Sequence, residues 1–204
     1  MKKISFNENW LFEGKTITLP HDAMIHRARQ MDAQSGSAQA YFPGGEYVYE
    51  KTFIVEGELL NARILFEFEG VYKNAKVFIN GKEAGGCDYG YLPFFVETEN
   101  LLHEGENAIL VECDNLKQPD SRWYSGAGIF RPVWMHVGTG DVILPESVKI
   151  STVSLNPAVI RIESKTAVNA EIFDVDTVVA RGNGTAFELE IPNAKLWDED
   201  NPYL

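Results

Sequence analysis

The chain of 204 residues carries 18 Lys and Arg against 30 Asp and Glu, a formal net charge of −12 at neutral pH. That balance argues against a nucleic-acid surface, which needs clustered cations to neutralise phosphates, and against anionic membranes, which would repel it. Apolar residues at 45% and charged residues at 24% are the proportions of a folded globular protein rather than of a disordered one.

The N-terminal MKKISFNENWLFEGK sets two lysines ahead of no apolar run, so no signal peptide is read there. No stretch approaches the roughly 18–20 apolar residues of a membrane helix, and a cytoplasmic location is the expectation. From there the hydrophobic period is 2 and hardly ever 3.6. In ARILFEFEG, Ile64, Phe66 and Phe68 share one face. Arg63, Glu67 and Glu69 share the other, where solvated carboxylates are expected, as at Glu112. In KVFINGKEAG, Val77 and Ile79 alternate with Lys76 and Asn80. Asn80-Gly81 predicts a type I′ hairpin turn, because both central positions of that turn need positive φ. AILVECDN, VWMHV, SVKIST, AVIRIES, VNAEIF and AFELEIP repeat the alternation, and turn residues recur at 43–45, 104–106, 155–157 and 182–184.

Many short strands without helical crossovers predict an all-β protein, a jelly-roll β-sandwich. Three of the four Trp and seven of the eight Tyr precede residue 140, and GTGDVILPES (138–147) has the composition of a linker. A first domain is therefore expected over 1–140 and a second over 141–204. The second is just long enough for a small immunoglobulin-like β-sandwich of seven short strands. Cys87 and Cys113 lack CxxC spacing and read as small apolar core residues. His26, His103 and His136 lack ligand spacing, so no metal and no cofactor is expected.

The most unusual segment is DNLKQPDSRWYSGAGIFR, from Asp114 to Arg131. A loop this polar between two strands is costly unless its groups are used or solvated. Trp123 and Tyr124 beside Arg122, Asp114 and Asn115 are the residue types of sugar recognition. Aromatic faces accept the C–H face of a pyranose, and charged or amide groups bond paired hydroxyls. The competing reading is a loop packed by its own aromatics, with Arg122 paired to Asp114 or Asp120 and with Asp114 or Asn115 capping backbone amides. Gly126 and Gly128 are expected to permit positive φ or close backbone approach. His21-Asp22 reads as a turn.

The run Asp114-Asn115, Gln118-Pro119 and Ser121 to Arg131 resembles the N-terminal domain of glycoside hydrolase family 2, the family of β-galactosidases, β-glucuronidases and β-mannosidases. Further segments resemble it in order: Trp10-Leu11-Phe12; Leu19-Pro20-His21-Asp22, with Ala23 where a Trp is usual; Gly44-Gly45 through Tyr49, Lys51 and Phe53; Phe68-Glu69-Gly70-Val71; Ile79-Asn80-Gly81-Lys82; Gly90-Tyr91 and Pro93-Phe94. Leu196-Trp197 with Asn201-Pro202-Tyr203-Leu204 resembles the exit from the family's immunoglobulin-like second domain. The resemblance implies a substrate-contacting loop with Arg122, Asn115, Asp114, Trp123 and Tyr124 as sugar-binding residues. It implies a β-galactoside or related carbohydrate as ligand, with a uronate as the alternative at Arg122. It also implies that the two catalytic glutamates lie on a downstream (β/α)8 barrel, which no segment here resembles, so that this chain alone is inactive. With the barrel missing, exposed apolar jelly-roll surface is expected to give self-association or modest solubility, tempered by the charge of −12, and the second domain is a candidate interface for a homo-oligomer. An autonomous carbohydrate-binding module is the alternative.

Overall fold

Period-2 alternation becomes antiparallel pairing throughout. The computed structural model describes residues 1–139, 142–144 and 147–203, and the chain divides into two compact units, Met1–Gly140 and Asp141–Leu204. The expected linker and the 140/141 boundary fall partly on residues 140, 141, 145 and 146, outside the described residues, as does Leu204 of the final motif. Among the described residues no helix is long and apolar enough to cross a membrane, and the helical turns are two short 3-10 segments, Gly36–Gln39 and Gly57–Asn61.

The first unit holds two sheets. Strands β1 (Lys2–Ser5), β5 (Arg63–Phe68), β8 (Phe94–Glu97) and β10 (Val133–Gly138) form one, in the order β1-β10-β5-β8. Strands β2 (Trp10–Phe12), β3 (Lys15–Ile17), β4 (Glu46–Val55), β6 (Ala75–Ile79), β7 (Lys82–Cys87) and β9 (Gly105–Asp114) form the other, in the order β3-β2-β4-β9-β6-β7. The two inner faces meet in one core. The larger sheet supplies Trp10, Phe12, Tyr49, Val77, Ile79, Ile109 and Val111, and the smaller supplies Ile64, Phe66, Phe68, Phe94, Val96 and Val133, all buried. This is the expected all-β sandwich, with alternate residues of each strand inward. The β6–β7 hairpin turns at Asn80 (φ 49°) and Gly81 (φ 78°), both positive as a type I′ turn requires.

Two charged residues depart from the simple pattern. Glu67, expected to be solvated, is largely buried: its carboxylate meets Lys3 Nζ at 2.8 Å and His136 Nε2 at 2.7 Å. Burial alone would push that carboxyl up, but the hydrogen bonds from Lys3 and His136 outweigh it and hold it below the usual carboxylate range. Alternation assigns a face; it does not reveal that neighbouring strands will place a lysine and a histidine on it. Lys51 stands at an inward position of β4, between Tyr49 and Phe53. Its ammonium lies 3.8 Å from the Phe6 ring centroid and donates to the carbonyls of Phe6 (3.1 Å) and Glu8 (2.6 Å), which fastens the N-terminal segment to the core.

The second unit differs more. Its described residues form a single three-stranded sheet, β11 (Val148–Leu155), β12 (Ala158–Asp174) and β13 (Thr177–Glu190), in place of the seven short strands expected. Strands of 17 and 14 residues take up the length that seven would have needed. Ile162, Val168 and Leu189 are its buried apolar residues, while Phe173, Val175 and Trp197 remain exposed.

Desolvation lowers the Lys51 ammonium to about 8, against 10.5 for the free group, with Glu8 only partly offsetting it. A group that holds its proton less tightly in the folded state favours folding as that proton leaves. Stability is therefore expected to rise between pH 8 and 10.5. Lys51→Met should flatten that rise in urea unfolding followed across the window; an unchanged slope would show that another group carries it.

Candidate functional site

Strand β9 ends at Asp114, and the chain must then cross from the six-stranded sheet to β10 in the four-stranded one. Residues 115–132 make that crossing with almost no ladder pairing, so their polar groups need other partners. Part of the answer is backbone. Residues 127–129 lie between two segments: His21 N donates to Ile129 O (2.8 Å) and Ala23 N to Ala127 O (2.8 Å) on one side. On the other, Tyr72 and Gly128 exchange both of their backbone hydrogen bonds, at 2.9 and 2.8 Å. Gly128 has φ 102°, and a Cβ there would stand 2.1 Å from the Tyr49 hydroxyl. Gly126 (φ 68°) likewise leaves room for the Asp22 carboxylate. Both glycines thus have the roles that the sequence suggests.

Three buried or half-buried polar side chains supply the rest. Gln39 closes a 3-10 turn and is 1% exposed. Its amide nitrogen donates to Trp123 O (2.8 Å) and Ser121 Oγ (3.2 Å), and its oxygen accepts from Ser125 N (2.8 Å) and Ser125 Oγ (3.1 Å). All four hydrogen-bonding positions of that amide are engaged by the loop. Asp22 does make the expected turn, accepting from Met24 N (2.9 Å), and it also accepts from Ala127 N (3.1 Å) and the Tyr124 hydroxyl (2.7 Å). Burial, reinforced by the Asp22 carboxylate, raises the Tyr124 phenol well above its ordinary value. Beside Asp22, His21 Nδ1 lies 2.9 Å from the Tyr49 hydroxyl, and burial together with the neighbouring His26 lowers its imidazole.

The third side chain is Asn115, one of the five expected sugar contacts. It is completely buried, its Nδ2 donating to Gly126 O at 3.1 Å, so it braces the loop from within and presents no surface to a ligand. Its Oδ1, like Gln118 Oε1, has no partner among the described residues. Asp114 uses Oδ1 to accept from Leu116 N (2.8 Å), the cap that competed with sugar contact. Tyr124 has its hydroxyl on Asp22 and packs edge-on against Phe42 at 5.8 Å. Arg122 and Trp123 remain. Arg122 is exposed, and among the described residues it makes no ion pair or hydrogen bond. Asp120, a candidate partner for it, pairs instead with Lys73 at 2.5 Å. Trp123 is 61% exposed, its indole N–H donating to the Tyr91 hydroxyl at 3.0 Å. Among the described residues no three His, Cys, Asp or Glu side chains gather as metal ligands.

The loop therefore offers a free guanidinium and an adjacent aromatic face on a rigid base. Gln39 and the clamping role of Asp22 escape sequence reasoning because they lie 82 to 105 residues from the groups they hold. The one hint is that a loop with this many unpaired amides demands buried acceptors somewhere else in the chain.

The profile described as "Glycosyl hydrolases family 2, sugar binding domain" matches residues 3–138. A β-galactosidase from Bacteroides ovatus is 32% identical over an alignment that spans 100% of this chain and 29% of that protein. A β-glucuronidase from Bacteroides fragilis is 31% identical across 70% of this chain and 21% of its own length. A solved β-glycosidase from Bacteroides vulgatus superposes with a TM-score of 0.77, at 24% identity, over 99% of this chain and 30% of that one; this likeness bears on the fold. The chain spans less than a third of the length of each of these relatives.

Gln39→Ala should loosen the loop while sparing the sandwich. With a charge-free hydrogen bond worth about 1 kcal/mol and an orphaned buried group costing more, amide exchange at Ser125 should accelerate roughly 10–100-fold. Exchange at Val111 in the core should not change. Equal acceleration at both sites would mean that Gln39 supports the whole fold rather than the loop.

Proposed function

Since the chain belongs to glycoside hydrolase family 2, we propose that it is the non-catalytic N-terminal region of a retaining β-glycosidase, with a β-galactosidase as the leading reading, and that it holds the loop after β9 against the terminal sugar of the substrate. Retaining hydrolysis needs two carboxyls about 5–5.5 Å apart across the scissile bond. In this reading they are glutamates of a downstream (β/α)8 barrel, and the sandwich completes the sugar pocket from one side. The carrying observation is that Arg122 and Trp123, adjacent in the chain, are both exposed on a loop whose backbone is clamped by Gln39 and Asp22. A guanidinium can bond two vicinal hydroxyls in one plane, and an indole face covers the apolar side of a pyranose. A rigid base matters because a contact that must first be ordered loses much of its value.

One observation favours a second reading. An exposed guanidinium without a carboxylate partner, in a chain of net charge −12, suits a uronate carboxylate as well as it suits hydroxyls. That would make the enzyme a β-glucuronidase.

The test is Arg122→Ala in the enzyme that carries this region, assayed with p-nitrophenyl β-galactoside and p-nitrophenyl β-glucuronide. Loss of a charge-assisted bond worth roughly 1.5–3 kcal/mol should lower kcat/KM about 10–100-fold on the true substrate. Preference for the galactoside supports the first reading, and preference for the glucuronide, removed by the substitution, selects the second. Unchanged kinetics on both substrates would take Arg122 out of the site. The 204-residue chain by itself should hydrolyse neither compound.

A further inference from the structure

Beside Trp123 lies a set of aromatic rings that the single-sugar reading leaves unused. Tyr89 is 60% exposed, nearly as much as Trp123. Tyr91 sits between them: its hydroxyl accepts from the Trp123 indole at 3.0 Å, and its ring meets Tyr89 edge-on at 5.7 Å, so that the two rings form an angled rather than a flat surface. Tyr91 also packs edge-on against Tyr72 at 5.4 Å and Phe130 at 6.0 Å. Tyr72 is the buried root of the group, 4% exposed and fixed to Gly128 by backbone hydrogen bonds on both sides. Gly90 is pressed so closely against it that a Cβ there would stand 2.2 Å from the Tyr72 ring. The turn that carries Tyr89 and Tyr91 therefore has little freedom to leave.

Exposed aromatic rings on so closely held a turn are unusual, because an exposed turn ordinarily gains nothing from being fixed. Around them lie polar groups: the Lys73–Asp120 ion pair, the Tyr72 hydroxyl 3.5 Å from Asp120, and Arg122 next to Trp123 in the chain. Apolar faces within a ring of hydrogen-bonding groups match a pyranose, which has an apolar C–H face and a polar edge. The area also argues for a small ligand. Three partly exposed rings offer roughly 300 Å², taking 150–250 Å² for each complete ring. A stable protein interface needs about 800 Å² on each partner.

We propose that Tyr91 and Tyr89, the rings next to Trp123, form a platform for a second pyranose, adjacent to the sugar held at Arg122 and Trp123. The substrate class is then a β-linked oligosaccharide in preference to a simple glycoside. This rests on the reading of Arg122 and Trp123 given above, and it adds Tyr89 and Tyr91 as specificity-determining residues. Because the turn that carries the platform is held before the ligand arrives, the second ring binds without the cost of ordering that backbone.

The test uses the 204-residue chain, labelled with ¹⁵N and titrated with four sugars: methyl β-galactoside, lactose, methyl β-glucuronide, and the disaccharide of β-glucuronic acid with N-acetylglucosamine. The Trp123 indole N–H signal is the readout. One disaccharide should bind about tenfold more tightly than its matching monosaccharide and move that signal. Tyr89→Ala, at a largely exposed position, should remove most of that tenfold advantage and leave monosaccharide binding unchanged. Equal affinity for disaccharide and monosaccharide would overturn the platform while the single-sugar reading stands. No signal shift with any of the four sugars up to about 100 mM would overturn both.

Discussion

The amide of Gln39 is the contact on which the rest of the site depends. A crossing of eighteen residues between two sheets leaves many backbone groups without ladder partners, and its residues 126–129 are buried from water. One buried side chain, donating twice and accepting twice, fixes the positions from Ser121 to Ser125. Asp22 takes over at Ala127 and at the Tyr124 hydroxyl, and Asn115 at Gly126. Between them the loop has few degrees of freedom left, and two neighbouring residues on it, Arg122 and Trp123, remain exposed. The order of cause runs from satisfied backbone to fixed loop to displayed guanidinium and indole.

The sandwich beneath is an ordinary consequence of alternation. Inward residues of β4 and β9 face those of β5 and β10, and the ten-residue ladder between β4 and β9 runs from Val55–Gly105 to Glu46–Asp114. That ladder matters to the site because its last pair is where the loop begins. Asp114 N and Asn115 N are still held, by Lys73 O and Gly45 O at 2.9 and 2.8 Å, so the loop leaves the sheet in a set direction. Lys51, half-buried in the same strand, ties down the N-terminal segment that precedes β2.

Much of this could be read from the residues in order. Alternation in ARILFEFEG identified Ile64, Phe66 and Phe68 as core, Asn80-Gly81 marked a hairpin, and the glycines at 126 and 128 pointed to tight backbone geometry. Each is a local signal, carried by neighbours within a few positions. Unreadable features share the opposite property. Gln39 sits in a stretch with no periodicity, and its partners lie more than eighty residues away. Glu67 has a solvent-facing pattern, but Lys3 and His136 arrive from strands that pair with it only in space. Asn115 and Tyr124 have the chemistry of sugar contacts, and yet Asn115 donates to Gly126 inside the loop and Tyr124 donates to Asp22 from a distant segment, because partners are decided by packing and not by residue type. The three long strands of the second unit show the limit of counting turns: a sequence with turn residues at 182–184 passes straight through them as one strand.

The long separations also set the order in which the protein can be made. Asp22 must wait for Ala127, 105 residues later, and Gln39 for Ser125, 86 residues later. Contacts so distant along the chain are slow to form, since the entropy of closing such loops is lost before the contacts repay it. Neither clamp can close until the segment through Ala127 has been synthesised, and by then β4 through β9 have all been available to pair. The displayed loop is thus among the last parts to take shape. A chain that has misregistered its central ladder would carry Asp114 at the wrong height and never bring Ser125 to Gln39. The surface of this loop consequently reports on the integrity of the whole sandwich, and an incompletely folded chain would lack it altogether.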